Sequence, residues 1–214
     1  MGRYSFANDR PKNIKKGYRF LLSLNEEQKK AKGEIYNNSI STIIGKAGSG
    51  KTLLACQVAL HQLLEKAINK IVITRPTVSK EDIGHLPGNI YSNMYQLLRR
   101  ERVDKMIQDN QIEIVPISYM RGRTFLNSCV IVDECQNLDN QQTFMLLQRI
   151  GRGSRMMFCG DSDQIDLKKR LDSGLAFLSS ITDVEGLHTI RLESNHRHPI
   201  LDDLIPKYQQ KGIS

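Results

Sequence analysis

The sequence predicts an α/β fold, a mostly parallel β-sheet covered by helices on both faces. Three observations predict it: short apolar, β-branched segments recur along the 214 residues, helical stretches lie between them, and a glycine-rich loop separates the first strand from the first long amphipathic helix. Strands that are apolar at nearly every position need cover on both faces, and alternation with helices supplies it.

Asn25 to Asn37 (NEEQKKAKGEIYN) reads as a polar helix, with Asn25 placed to accept from the free amides of its first turn. The β-rich run Ser39 to Ile44 follows and ends at Gly45. Thr52 to Lys66 carries Leu53, Leu54, Val58, Leu60, Leu63 and Leu64 at helical spacing, which gives a thick buried face. Further strands are expected at Lys70 to Thr74 (KIVIT), Glu113 to Ile117 (EIVPI), Ser128 to Asp133 (SCVIVD), Arg155 to Gly160 (RMMFCG) and Leu187 to Leu192 (LHTIRL). Helices are expected over 92–108, 140–150, 173–181 and 199–210, and Gly84-His85-Leu86-Pro87-Gly88 reads as a turn in the loop after Lys80 and Glu81. The sequence shows no repeat, low-complexity tract or Pro/Gly linker, so one domain is expected over residues 23–214 behind an arm of residues 1–22.

A chain that is 39% hydrophobic and 25% charged can bury a core, which argues against general disorder. No apolar run approaches the ~18 residues a membrane span needs, and no hydrophobic stretch follows Arg3 and Arg10 as it would in a signal peptide. The expectation is a cytoplasmic protein with no membrane partner. Cys56, Cys129, Cys135 and Cys159 show no C-x-x-C spacing and read as reduced, buried thiols. The net charge of +8 is concentrated at the start, where Arg3, Arg10, Lys12, Lys15, Lys16 and Arg19 face Asp9 alone. Such an arm can follow a phosphate backbone, although a solvated terminus accounts for it almost as well.

Gly45-Lys46-Ala47-Gly48-Ser49-Gly50-Lys51-Thr52 fits the P-loop pattern of glycine, four residues, then Gly-Lys-Ser/Thr, with a strand before it and a helix after it. Glycines let the backbone wrap closely enough for several N–H groups to face phosphates, and the starting helix adds positive potential. In that pattern Lys51 meets the β- and γ-phosphates and the Thr52 hydroxyl ligates magnesium, so ATP with Mg2+ is the expected ligand. The strand CVIV then delivers Asp133 and Glu134 together at its C-terminal end, where an α/β sheet places ligands. Asp133 suits the metal, and Glu134 suits the attacking water. A strand-end acidic pair alone would be a weak signal; the P-loop gives it meaning.

Gly160-Asp161-Ser162-Asp163-Gln164 follows another apolar strand, so Gln164 is a candidate sensor of the γ-phosphate, with an ordinary β-turn as the alternative. In Asn195-His196-Arg197-His198-Pro199, Arg197 is a candidate arginine finger. The two histidines lack further ligands at metal-site spacing. Arg121 and Arg123 in Tyr119-Met120-Arg121-Gly122-Arg123-Thr124 could contact nucleic-acid phosphate, reach a neighbouring subunit's nucleotide, or be plain surface charges. Arg75, in Thr74-Arg75-Pro76-Thr77, is a further nucleic-acid candidate at the edge where motor NTPases couple nucleotide to strand binding.

These stretches together resemble the PhoH family, ATPases related to superfamily 1 helicases, over roughly Gln28 to Tyr208. The resemblance is carried by GKAGSGKT, TRPTV with IGHLPGN, YMRGRT, VIVDECQN, LLQRIGRGS, GDSDQID and HRHP. It implies a three-layer, RecA-like P-loop NTPase in which Gln28 is similar to the helicase glutamine that reads adenine. Lys51, Thr52, Asp133, Glu134, Gln164 and Arg197 take the roles given above. Departures from the family pattern are Ser49 for a frequent threonine, Cys135 for alanine, His85 for phenylalanine and Lys168 for proline. Many relatives carry a PIN-type nuclease domain ahead of the ATPase, and the short stretch before Gln28 makes intrinsic ribonuclease activity an unsupported expectation here.

The family link points to RNA ahead of DNA as a single-stranded partner. Superfamily 1 helicases draw catalytic arginines from a second RecA-like domain, and a chain of this length has room for one. A homo-oligomeric ring, a hexamer with Arg197, Arg121 or Arg123 acting in trans, is therefore expected. The leading function is an ATP-driven nucleic-acid motor. The rivals are a nucleotide-gated RNA scaffold with little turnover and a small-molecule kinase, for which no acceptor pocket or lid is visible in the sequence.

Overall fold

The computed structural model describes residues 20–76, 86–164 and 173–196, with residues 200, 201, 204 and 207 beyond them. Helix α1 (Glu26–Asn37) opens with a capping box in which Asn25 and Gln28 satisfy each other's backbone amides, so the expected polar helix starts where its cap predicts. Strand β1 (Ile40–Gly45) leads through the glycine loop into α2 (Lys51–Leu64), and β2 (Lys70–Thr74) follows.

The single helix expected over 92–108 is two helices, α3 (Leu86–Leu97) and α4 (Arg100–Gln108). Leu97 and Leu98 are both buried at the break, as are Val103 and Met106 on α4, so packing rather than a glycine or proline bends the chain there. Leu86, Pro87 and Gly88, expected in a turn, instead form the first turn of α3, where a proline costs no internal hydrogen bond. Strand β3 is short (Ile112–Ile114), because Pro116 precedes a 3-10 turn (Ile117–Met120).

After β4 (Ser128–Val132) come a 3-10 turn (Cys135–Asn137), α5 (Asn140–Leu147), β5 (Arg155–Gly160), α6 (Gly174–Ser180) and β6 (Leu187–Leu192). The helix expected over 199–210 falls mostly outside the described residues.

All six strands are parallel and lie in the order β3-β2-β4-β5-β1-β6. The core divides with the period of two that a pleated strand imposes. Ile43, Ile71, Ile73, Cys129, Ile131, Met157 and Cys159 face one side, against Ile35 of α1, Leu54 and Val58 of α2, Met94 of α3 and Val103 of α4. Ile44, Val72, Val130, Val132, Met156 and Phe158 face the other, against Leu146 of α5 and Leu175 and Leu178 of α6. The expected α/β fold with helices on both faces is present.

Arg155, at the start of β5, donates to the carbonyls of Ile35, Tyr36 and Asn38, placing a guanidinium at the C-terminal end of α1. The four cysteines are free and buried. No helix among the described residues is long and apolar enough to cross a membrane.

Candidate functional site

Parallel strands end on a common edge, and here that edge collects the loops after β1, β2, β4, β5 and β6. Between β1 and α2 the backbone enters the left-handed region at Gly48 and Gly50, with φ of 90° and 81°. A side chain at Gly50 would also meet Gln28, since a Cβ there would stand 2.6 Å from Gln28 Nε2. Ser49 is buried, and its N–H donates to Lys46 O over 3.1 Å, which tightens the loop.

Lys51 turns its ammonium onto the loop's own carbonyls, donating to Gly45 O over 2.6 Å and to Lys46 O over 2.9 Å. Burial pulls the Lys51 pKa down, and the charge of Asp161 leads those that push it back up. A cleft of ≈ 220 Å³ is lined by Gly48, Gly50, Lys51, Thr52, Leu53 and Asn93. A second, of ≈ 390 Å³, is bordered by Lys46, Asp161, Asp163, Arg191 and Glu193.

The carboxylates approach this loop from β4. Thr74 pairs with Val132, and the Asp133 N–H donates to Thr74 O over 2.8 Å, which fixes Asp133 just past the strand end. Its carboxylate is buried and accepts the Thr52 hydroxyl over 2.7 Å. Burial raises the Asp133 pKa, opposed first by that hydrogen bond and then by the charges of Arg75 and Lys51. Glu134 has φ of 50° and caps the turn Cys135–Asn137, and its carboxylate forms an ion pair with Arg75. Two hard oxygen donors in contact, a hydroxyl and a carboxylate, fit a small divalent cation that keeps water and phosphate as its other ligands.

Because β5 separates β1 from β4, its end comes between the two acidic residues and the glycine loop. Asp161 is buried there, and its carboxylate accepts the Asp163 N–H over 3.0 Å. The Gln164 N–H donates to Asp161 O over 3.2 Å, leaving the Gln164 side chain exposed at this edge. Gln136 is a residue that sequence reasoning passed over: it is buried, its Oε1 accepts the Asp161 N–H over 3.2 Å, and its carbonyl accepts the Ser173 hydroxyl over 2.8 Å. It ties the ends of β4 and β5 together. An amide two residues after an acidic pair was the available signal.

Gln28 is buried against the loop, with its Nε2 3.5 Å from Ser49 O and its Oε1 accepting the Asn25 N–H over 3.2 Å. Beside it, a second group missed in the sequence closes the site. Glu27 accepts the N–H groups of Glu193 and Ser194 over 2.6 Å and 3.1 Å, and the Ser194 hydroxyl as well. The Glu193 amide leads the causes that hold the Glu27 pKa below the usual carboxylate range. Asn25 Nδ2 reaches Ser194 Oγ and His196 Nε2, each at 3.3 Å, and the His196 N–H donates to Gly48 O over 3.1 Å.

The arginines have different surroundings. Arg123 makes a two-point ion pair with Glu113, at 2.9 Å and 3.0 Å, and stacks on Phe125, which places it in a local network rather than on open surface. Arg121 is exposed. Arg197 lies outside the described residues.

A model of the family described as PhoH-like protein matches residues 21–209. The chain is 38% identical over 184 residues to a PhoH-like protein of Bacillus subtilis, covering 79% of this chain and 58% of that protein. It is 36% identical over 191 residues to a PhoH-like protein of Synechocystis sp., covering 82% of this chain and 58% of that one. It therefore spans less than two thirds of the length of these relatives. Among solved structures it is similar to the Sulfolobus solfataricus SWI2/SNF2 ATPase core in complex with dsDNA, with a TM-score of 0.50 and 16% identity over 76% of this chain and 38% of that chain. That likeness is one of fold.

Proposed function

We propose, since the chain belongs to the PhoH-like protein family, that it binds and hydrolyses ATP as a nucleic-acid-dependent motor. The P-loop NTPase fold supplies the frame, and the observation that carries the reading is the meeting of Thr52 with Asp133 at 2.7 Å. It joins the phosphate-binding loop to the acidic strand end.

In this reading Gly45, Lys46, Ala47, Gly48, Ser49 and Gly50 wrap the phosphates with their amides, and Gln28, packed on the loop, faces the base. Lys51 exchanges the carbonyls of Gly45 and Lys46 for the β- and γ-phosphates, a stronger partner for an ammonium because the hydrogen bonds become charged at both ends. Thr52 and Asp133 hold Mg2+, which when bound neutralises charge on the phosphate oxygens. Glu134 takes a proton from the attacking water as its oxygen bonds to the γ-phosphorus and the bond to the ADP oxygen breaks. Gln164, exposed on the same edge, orients that water.

The motor is one domain over residues 23–214, with the arm of residues 1–22 on a phosphate backbone. It acts in the cytoplasm as a homo-oligomeric ring, a hexamer. The single-stranded partner is RNA ahead of DNA, through Arg121 and Arg75. Arg197 or Arg121 enters the neighbour's nucleotide site, Arg123 being held by Glu113.

The test is phosphate release with and without single-stranded RNA or DNA at two salt concentrations. Release without an acceptor, stimulated by RNA and fading with salt, is expected. No release under any of these conditions would turn the reading toward a nucleotide-gated scaffold.

A further inference from the structure

Topology brings Arg75 and Glu134 within reach of each other. Strands β2 and β4 are neighbours in parallel register, with Thr74 opposite Val132, so the residues that follow them leave the sheet side by side. The backbone of Glu134 is fixed as well. It sits in the left-handed region at φ 50° and ψ 41°, with its carbonyl accepting the Asn137 N–H over 3.1 Å. A non-glycine residue there is held by its surroundings, so the side chain alone chooses where the carboxylate goes. It has chosen the Arg75 guanidinium.

We propose that Arg75 is a positioning residue that holds Glu134 on its guanidinium until a phosphate of a bound single strand takes Arg75 and frees the carboxylate for water. The proposal rests on Glu134 being the group that activates water. The carboxylate oxygen that meets the guanidinium, Oε1, is not presented to a water at the γ-phosphate, and the contact fixes the plane of the whole group.

The pair also suits exchange. The two side chains are 25% and 36% exposed, so a polymer phosphate can reach Arg75, and an ion pair this open to solvent is weak. A guanidinium fork donates to phosphate oxygens in the same way that it donates to a carboxylate, which makes the nucleic-acid backbone a direct competitor. Lys51, a further cation of the glycine loop, is turned to the carbonyls of Gly45 and Lys46, away from this exchange. Coupling of polymer to hydrolysis then needs no domain movement, only the transfer of one guanidinium between two anions.

The experiment measures phosphate release by the full chain with Mg-ATP, with no polymer, with poly(U) and with poly(dT), for the wild type, Arg75→Gln and Arg75→Lys. Arg75→Gln is expected to raise the polymer-free kcat by about two- to fivefold, the range an ion pair of this exposure commands, with the KM for ATP little changed. Its stimulation by polymer should fall to near one. Arg75→Lys, which keeps a cation, should restore a low basal rate and part of the stimulation. A basal kcat that is unchanged or lower in a folded Arg75→Gln protein overturns the clamp, as does full stimulation of that variant by either polymer. The parent reading fails separately, through a wild type that binds a fluorescent ATP analogue but hydrolyses ATP no faster than Glu134→Gln.

Discussion

The Thr52 hydroxyl and the Asp133 carboxylate, 81 positions apart in the chain, meet at 2.7 Å at the edge of the sheet. Thr52→Ala removes one partner and one hard oxygen donor, so the Mg2+ concentration needed for nucleotide binding should rise about tenfold or more. Asp133→Asn should weaken the metal at least as much while leaving the fold as stable or slightly more stable, because it removes a charge from a buried position. A Mg2+ titration with a fluorescent ATP analogue, beside urea melts, checks both. An Asp133→Asn protein that loses stability sharply would mark the pair as structural.

Lys51 and Glu134 should separate binding from turnover. Lys51→Ala deletes a charge-assisted contact to phosphate, a loss of about 1.5–3 kcal/mol, so ATP affinity should fall about tenfold to a hundredfold. Glu134→Gln should hold ATP about as well as the wild type and lose about 10²-fold or more in turnover, which single-turnover phosphate release would measure. Unchanged turnover in that variant would remove Glu134 from its assigned role.

Acid should loosen a second cluster by a different route. Arg123 is the first cause holding the Glu113 pKa at about 2, with Lys70 adding to it. A carboxylate depressed below its unfolded value of about 4.3 stabilises the fold above that pH, and the contribution is lost as pH falls toward the folded value. Glu113→Gln should therefore cost about 1 kcal/mol at neutral pH, discounted for the exposure of the pair, and progressively less between about pH 4 and 2. Urea melts across that range decide it, and a deficit independent of pH would show that packing, not charge, is responsible.

Glu27 should act on the glycine loop from a distance. It fastens residues 193 and 194 to α1, and the same segment reaches Gly48 through the His196 amide. Glu27→Gln should speed hydrogen exchange at Glu193, Ser194 and His196 and weaken ATP binding about threefold, with the core amides of β4 and β5 unaffected. Exchange that stays slow at these three amides would mean that the strand end is held by other contacts.

The architecture was legible because two periodicities, glycine spacing and apolar runs, are local properties. GKAGSGKT could be recognised between its strand and helix, and KIVIT and RMMFCG fall where the strands are. Boundaries set by tertiary packing were not legible: Leu97 and Leu98 carry no breaker, yet the helix stops there. Strand order was not legible either, and with it went the Arg75–Glu134 pair, which exists only because β2 lies beside β4. Glu27 read as one more surface carboxylate of a polar helix, since its partners are backbone amides 166 and 167 residues away. Arg123 read as a contact for nucleic-acid phosphate or a neighbour's nucleotide, or as surface charge, for the same reason: Glu113 reaches it through the fold.

The burial of Cys56, Cys129, Cys135 and Cys159 has a practical consequence. With burial raising their pKa values, native thiols present almost no reactive sulfur to a maleimide or disulfide reagent. A single new cysteine at an exposed position such as Tyr119, which is 71% accessible, would be labelled alone in the otherwise unaltered protein. Slow modification of the native four would meanwhile time the opening of the core around them, giving a spectroscopic handle and an unfolding clock in the same molecule.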